Sequence, residues 1–264
     1  LVTIGFSHYC EIATWCLKVK GIPYTEHSYP TVQHILPAIA LRTLPNLSEE
    51  EIVKKQNKEK RRERAARSTA VPVAIAPDGT VWTDSWDIAT KTGLPAIDPI
   101  LKKLLDEKIG VLSRQLSFHY MLQPHNDMCF NKLLTIHTVY VWKFLWWLFL
   151  SKYTKEIMIK IMKPFHVEAV QECRNELYKA ISEIDTIISN KKTKFLYSNE
   201  IGISDIALAS LMSVLVNPPQ YCNSKYTSIF EELMQNDVNL SEEVEKIRNT
   251  ITGKYVMDLY ANYR

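Results

Sequence analysis

Apolar positions follow two different rhythms in the first ninety or so residues. The short run "VTIGF" at 2–6 reads as a strand. Ile12, Trp15, Cys16 and Val19 then recur at three- and four-residue steps, which predicts an amphipathic helix over 11–20 that stops at Gly21. Residues 22–28 lead into a second strand. A right-handed crossover makes two such strands parallel. After a long polar interval, "VPVAIA" at 71–76, the turn Pro77-Asp78-Gly79 and "TVW" at 80–82 predict a β-hairpin. Asp84-Ser85 then open a helix to about Thr92. The order describes a compact four-stranded α/β domain over 1–92. "GLPAIDP" at 93–99 is a linker by its Gly and Pro content. From there to residue 264 only helices are read, legible at "GISDIALASLMSVL" and "LSEEVEKIRNTITGKYVMDLY".

Two stretches break the pattern. Residues 41–69 form an insertion whose middle, "LSEEEIVKKQNKEKRRERAARS", is almost devoid of apolar residues. Ser48 followed by Glu51 is a capping box, so a solvated helix is expected, with a basic docking arm as the alternative. "LLTIHTVYVWKFLWWLFL" at 133–150 has the length of a short membrane span, but Thr135, His137, Thr138 and Lys143 interrupt it. The expectation is a core helix in which Trp142, Trp146 and Phe149 are covered and Lys143 reaches solvent. A membrane-facing or partner-facing surface is the alternative.

Composition narrows the classes. At 264 residues and 46% hydrophobic, the chain can bury one large core or two smaller ones. A net charge of +3 gives no reason to expect a nucleic acid. Cys10, Cys16, Cys129, Cys173 and Cys222 are scattered and match no zinc spacing, so free thiols in a reducing compartment, cytoplasmic or organellar, are expected. His119, His125 and His137 form no pair with ligand spacing, and no metal is expected. Residues 2–6 are too short and uncharged for a secretory leader, while a start at Leu1 rather than Met leaves a removed targeting segment open.

The candidate chemistry gathers at "SHYC" (7–10), at Val71-Pro72 and at Asp84-Ser85. Ser7-His8-Tyr9-Cys10 occupies the place where thioredoxin-like folds carry Cys-x-x-Cys. Val71-Pro72 looks like the cis-proline of that fold. Asp84-Ser85 looks like an acidic-Ser pair opening the next helix. Gly202-Ile203-Ser204-Asp205 stands where a Ser/Thr-x-x-Asp cap opens a helix of the second domain, with Gly in place of the hydroxyl residue. Together these resemble the glutathione transferase superfamily over essentially the whole chain. "SHYCEIATWCL", "NPPQYC" and "GKYVMDLYANYR" look more narrowly like a little-characterised glutathione transferase-like group. The resemblance implies a thioredoxin-like α/β N-terminal domain followed by an all-α domain, glutathione as co-substrate, an apolar electrophile as acceptor, a detoxifying role and a homodimer.

It also implies roles. The Val71 backbone would pair with the extended glutathione peptide. Asp84 would meet its ammonium, while Ser85 and the amides of the helix start would take its carboxylate. Tyr9 and His8 would flank the acceptor. The insertion at 49–68 replaces the short helix that often supplies a basic residue to the glycine carboxylate, so that contact is unassigned.

Ser7 has a physical case of its own. Lowering a thiol pKa by two units requires about 2.7 kcal/mol. A helix N-terminus contributes about 0.3–2 kcal/mol and a hydroxyl aimed at the sulfur roughly 1.5–3. Alone, Ser7 reads as an N-cap; beside Pro72 and Asp84-Ser85 it reads as the residue that holds a thiolate. Cys10 sits where a glutaredoxin's resolving cysteine would, but Ser7 replaces the attacking one, which excludes a dithiol cycle in this site. Three functions follow: a glutathione-conjugating enzyme acting through Ser7, a non-catalytic binding or scaffold subunit of a larger complex, and a monothiol oxidoreductase using Cys10.

Overall fold

The computed structural model describes residues 1–31, 33–43, 69–135, 138, 140–162 and 166–264. The chain divides into two compact units, Leu1–Gly93 and Leu94–Arg264. The charged core of the insertion, including the Ser48–Glu51 box, lies outside the described residues.

In the first unit β1 (Val2–Ile4) pairs in parallel with β2 (His27–Tyr29), Val2 opposite His27. Helix α1 (His8–Val19) connects them. It begins three residues earlier than its apolar period indicates, because Ser7 in extended backbone (φ −81°, ψ 118°) caps it directly. Gly21, at φ 66°, supplies the left-handed turn after its last residues. Helix α2 (Ile35–Thr43) follows. The hairpin β3 (Ala74–Ile75) and β4 (Val81–Trp82) is antiparallel, with Gly79 at φ 86° in its turn. Helix α3 (Ser85–Lys91) closes the unit.

The four strands form two short ladders instead of one continuous sheet. What joins them is a single antiparallel bridge: Val2 N donates to Val73 O at 2.8 Å and Val73 N to Val2 O at 3.2 Å. One face of this unit buries Ala13, Leu17, Ala74 and Ile88, which fastens α1 and α3 to the hairpin. Val2, Ala38 and Val73 form the second cluster, beneath α2.

Every secondary-structure element of the second unit among the described residues is helical. A helical stretch built of α4 (Pro99–Leu104), a π turn (Leu105–Ile109) and α5 (Gly110–Met121) is followed by α6 (Asp127–Thr135), α7 (Tyr140–Leu145), a second π turn (Trp146–Leu150) and α8 (Ser151–Met162). The remainder is α9 (Val167–Ser189), α10 (Ile203–Val216), α11 (Thr227–Asn236), α12 (Val238–Arg248) and α13 (Ile251–Tyr263). At the start of α10 the buried Asp205 accepts from Gly202 N at 3.0 Å, Leu196 N at 2.9 Å and Tyr255 Oη at 2.5 Å. A Cβ on Gly202 would meet Pro95 at 3.1 Å, which accounts for glycine where a hydroxyl residue is the usual cap.

The aromatic stretch departs from expectation. It is not one core helix, since α6 ends at Thr135 and α7 begins at Tyr140. Thr138 terminates α6 by donating its amide (3.0 Å) and hydroxyl (2.8 Å) to Thr135 O, the competition with helical bonding that threonines make. Trp146 is buried and donates to Asn131 Oδ1 at 3.2 Å. Phe149, however, is exposed, so the three aromatics do not form one covered face. The Trp142 side chain lies outside the described residues. Lys143 is half-buried, its ammonium 5.5 Å from the centre of the Tyr140 ring.

Candidate active site

Ser7 stands at the junction of β1 and α1. Its amide donates to Ile4 O at 3.0 Å and its carbonyl accepts the Glu11 amide at 3.0 Å, so its backbone is held from both sides. Its Oγ accepts the Cys10 amide at a long 3.4 Å. The same side chain also acts on the Cys10 thiol. His8 is buried with its ring tilted against Tyr9 at 4.6 Å, and Tyr9 is half-buried. Of the two, Tyr9 has the surface to offer a ligand.

Cys10 is buried, and loss of hydration pushes its thiol up to about 12, outweighing the opposing hydrogen bonds from the Ile4 backbone and Ser7. A thiol so shifted is essentially never a thiolate at neutral pH. Cys16, on the apolar face of α1, is raised further by burial alone. All five cysteines are buried and none forms a disulfide.

The Val71–Pro72 peptide bond is cis. Pro72 is buried and Val71 half-buried, and next to them Val73 pairs with Val2. Among the described residues the Val71 amide and carbonyl make no hydrogen bond. Followed in its antiparallel direction, the Val2–Val73 bridge runs Val71 toward the Ile4 end of β1, the end that carries Ser7.

Asp84 caps α3 with one oxygen: Oδ1 accepts the Trp86 amide at 2.9 Å and the Asp87 amide at 2.8 Å. Its other oxygen makes no hydrogen bond among the described residues. Ser85 is buried, and its hydroxyl makes no hydrogen bond among the described residues.

Arg42, in the last turn of α2, is the residue the sequence reading missed. Its Nη1 donates to Ala70 O and its Nη2 to Thr83 O, both at 2.6 Å. One planar guanidinium therefore ties the residue before Val71 to the residue before Asp84. Burial lowers the Arg42 pKa while the nearby Asp84 charge opposes that shift. His34, in the turn before α2, has its pKa lowered mainly by burial, against hydrogen bonds with the Pro30 and Thr69 backbones. The spacing His34, Ala38, Arg42 was the available signal: three residues four apart, of which Ala38 is fully buried against Val2 and Val73.

A cavity of about 650 Å³ also opens in this unit, lined by Ile22, Tyr24, Tyr29, Ile75 and Trp82 among others. None of Ser7, Val71, Asp84 or Ser85 lines it, and its walls lack the convergent polar groups of a reaction site. Among the described residues no three His, Cys, Asp or Glu side chains form a metal-ligand group, and no helix is long and apolar enough to cross a membrane.

Residues 6–91 match the family model of the glutathione S-transferase N-terminal domain, a span that contains every candidate residue described above. The match falls within the first unit, which is similar to the N-terminal domain of glutathione S-transferases. Two solved structures are similar over most of their length. One, a glutathione S-transferase from Methylobacillus flagellatus KT with GSH bound, is 12% identical, with 97% of this chain and 97% of that chain covered and a TM-score of 0.43. The other, a glutathione S-transferase from Methylobacterium radiotolerans JCM 2831 in complex with glutathione sulfonate, is 13% identical, with 97% and 93% covered and a TM-score of 0.38. No curated protein matches the chain.

Proposed function

We propose that this protein is a glutathione transferase whose Ser7 hydroxyl holds the glutathione thiolate while it attacks an apolar electrophile. The observation that carries the reading is the Arg42 tie. It holds the Val71 segment, whose backbone makes no hydrogen bond among the described residues, to Asp84, whose Oδ1 caps α3, and to the Ser85 hydroxyl, which makes no hydrogen bond among the described residues. An extended peptide pairs with the Val71 amide and carbonyl as an added strand does. Its terminal ammonium meets the other oxygen of Asp84, and its carboxylate takes the Ser85 hydroxyl.

The thiol then lies toward the Ile4 end of β1, loses its proton to solvent, and the Ser7 hydroxyl donates a hydrogen bond to the resulting thiolate. A charge-assisted hydrogen bond of roughly 1.5–3 kcal/mol added to the helix N-terminal field of about 0.3–2 kcal/mol covers the roughly 2.7 kcal/mol that a two-unit fall in pKa requires. In the reaction the sulfur lone pair forms an S–C bond and the acceptor's leaving group departs with the bonding electrons. The detoxification of apolar electrophiles is the role such chemistry serves. Cys10 takes no part, because its thiol is buried and protonated.

The test is calorimetric titration of glutathione into the full chain, run beside conjugation assays with several electrophiles. Binding with turnover supports the enzyme. Binding without turnover, or neither, transfers the protein to the non-catalytic reading.

A further inference from the structure

Helices α7 and α8, with the π turn between them, carry a row of side chains that nothing in the described structure covers. Val141, Leu145, Phe149, Tyr153 and Ile157 recur every fourth residue and all are exposed. In an unbroken α-helix a four-residue step drifts steadily around the axis. The π turn at Trp146–Leu150 closes i to i+5 and reverses part of that drift, which keeps the row on one side. Trp146 and Thr154, eight residues apart, are buried on the other. Tyr140 and Phe144 widen the row. Within it Tyr140 is 87% exposed, Val141 70%, Phe144 60%, Phe149 69% and Tyr153 63%, a concentration unusual for a surface facing only water.

The charges beside this row are mostly positive. Lys143, Lys152, Lys155 and Lys160 stand against a single acid, Glu156. Lys155 is paired with Asp127. Lys152 and Lys160 are exposed and make no ion pair among the described residues. A second copy of the chain is a poor match, because a twofold contact sets each face against itself and brings lysine toward lysine. An anionic lipid surface answers both features. Aromatic and aliphatic side chains enter the headgroup boundary while lysines meet phosphate, the pattern of a helix that lies in a membrane interface without crossing it.

We propose that residues 140–160 form a docking surface for anionic phospholipid membranes, independent of how the first unit uses glutathione. The test is co-sedimentation of the full chain with vesicles of phosphatidylcholine alone and of phosphatidylcholine and phosphatidylglycerol in equal parts. The wild type is expected to pellet with the anionic vesicles only, and to be released as salt rises. Phe149→Ser with Tyr153→Ser, and separately Lys152→Glu with Lys160→Glu, should each reduce the vesicle-bound fraction about tenfold or more. Because these side chains are exposed, unchanged circular dichroism should show both variants folded. Equal pelleting with neutral vesicles, or undiminished binding by the folded variants, overturns the proposal. So does a dimer in sedimentation velocity that the aromatic double variant dissolves while no vesicles are bound, a result that assigns the face to a second copy.

Discussion

Arg42 Nη2 donates to the Thr83 carbonyl at 2.6 Å, tying the last turn of α2 to the residue immediately before Asp84. The second arm of the same guanidinium holds Ala70. Removing it should loosen the proposed glutathione site without altering Val71, Asp84 or Ser85. For Arg42→Ala we expect glutathione affinity to fall about tenfold or more, since two charge-assisted bonds are lost, each worth roughly 1.5–3 kcal/mol to the fold. Arg42→Lys should recover only part of this, because a lysine lacks the planar fork that reaches both carbonyls. Calorimetry on both variants checks it; wild-type affinity in Arg42→Ala would remove the tie from the account.

Asp84→Ala with Ser85→Ala should weaken glutathione binding while α9 to α13 stay folded. Asp84→Ala alone also removes the cap of α3, at a cost of about 1 kcal/mol of stability. Ser85→Ala removes no protein hydrogen bond and is the cleaner probe. Titration of the single variant separates ligand contact from capping, and equal affinity in Ser85→Ala would return Asp84-Ser85 to the role of a helix start.

Cys10 gives a prediction of opposite sign. With its thiol raised to about 12 by burial, Cys10 stays protonated at pH 8. Iodoacetamide should leave Cys10 unlabelled in the native protein and label it after unfolding, as read by peptide mass. Cys10→Ser should keep conjugation nearly intact. Rapid native labelling, or loss of turnover in Cys10→Ser, would revive the oxidoreductase.

A fourth prediction concerns the second unit. A Cβ on Gly253 would stand 2.1 Å from Ile247 O and 2.7 Å from Arg248 Cα, where α13 starts against the end of α12. Backbone atoms cannot swing aside as a flexible side chain does. Gly253→Ala should therefore destabilise the protein by about 1–3 kcal/mol or more. Thermal unfolding measures this, and an unchanged midpoint would mean that the two helix ends part freely.

What could be read in the sequence was what neighbours along the chain decide. The cap at Ser7, the turn at Asp78-Gly79 and the cap at Asp84 each rest on a side chain bonding within three residues, so local rules find them. Arg42 was hidden because its partners lie 28 and 41 residues away and are backbone carbonyls, which leave no trace in side-chain pattern. The aromatic stretch misled for a related reason. Apolar spacing cannot distinguish a face that packs on its own chain from one that does not, and Trp146 and Phe149 fall on opposite sides of that division. The break after Thr135 was available in principle from Thr135 and Thr138, whose hydroxyls compete for helix carbonyls.

The central claim is that Ser7 holds a thiolate. In kinetics, Ser7→Ala should lower turnover about ten- to a hundredfold, the loss of roughly 1.5–3 kcal/mol of hydrogen bonding in the transition state. The most direct measurement is the ultraviolet difference absorbance of glutathione thiolate bound at neutral pH, compared between wild type and Ser7→Ala at saturating glutathione. We expect a thiolate band in the wild type that titrates well below the pH of free glutathione, and in Ser7→Ala a band that appears only at higher pH. A band of equal strength and midpoint in both proteins, or none in saturated wild type, would contradict the account.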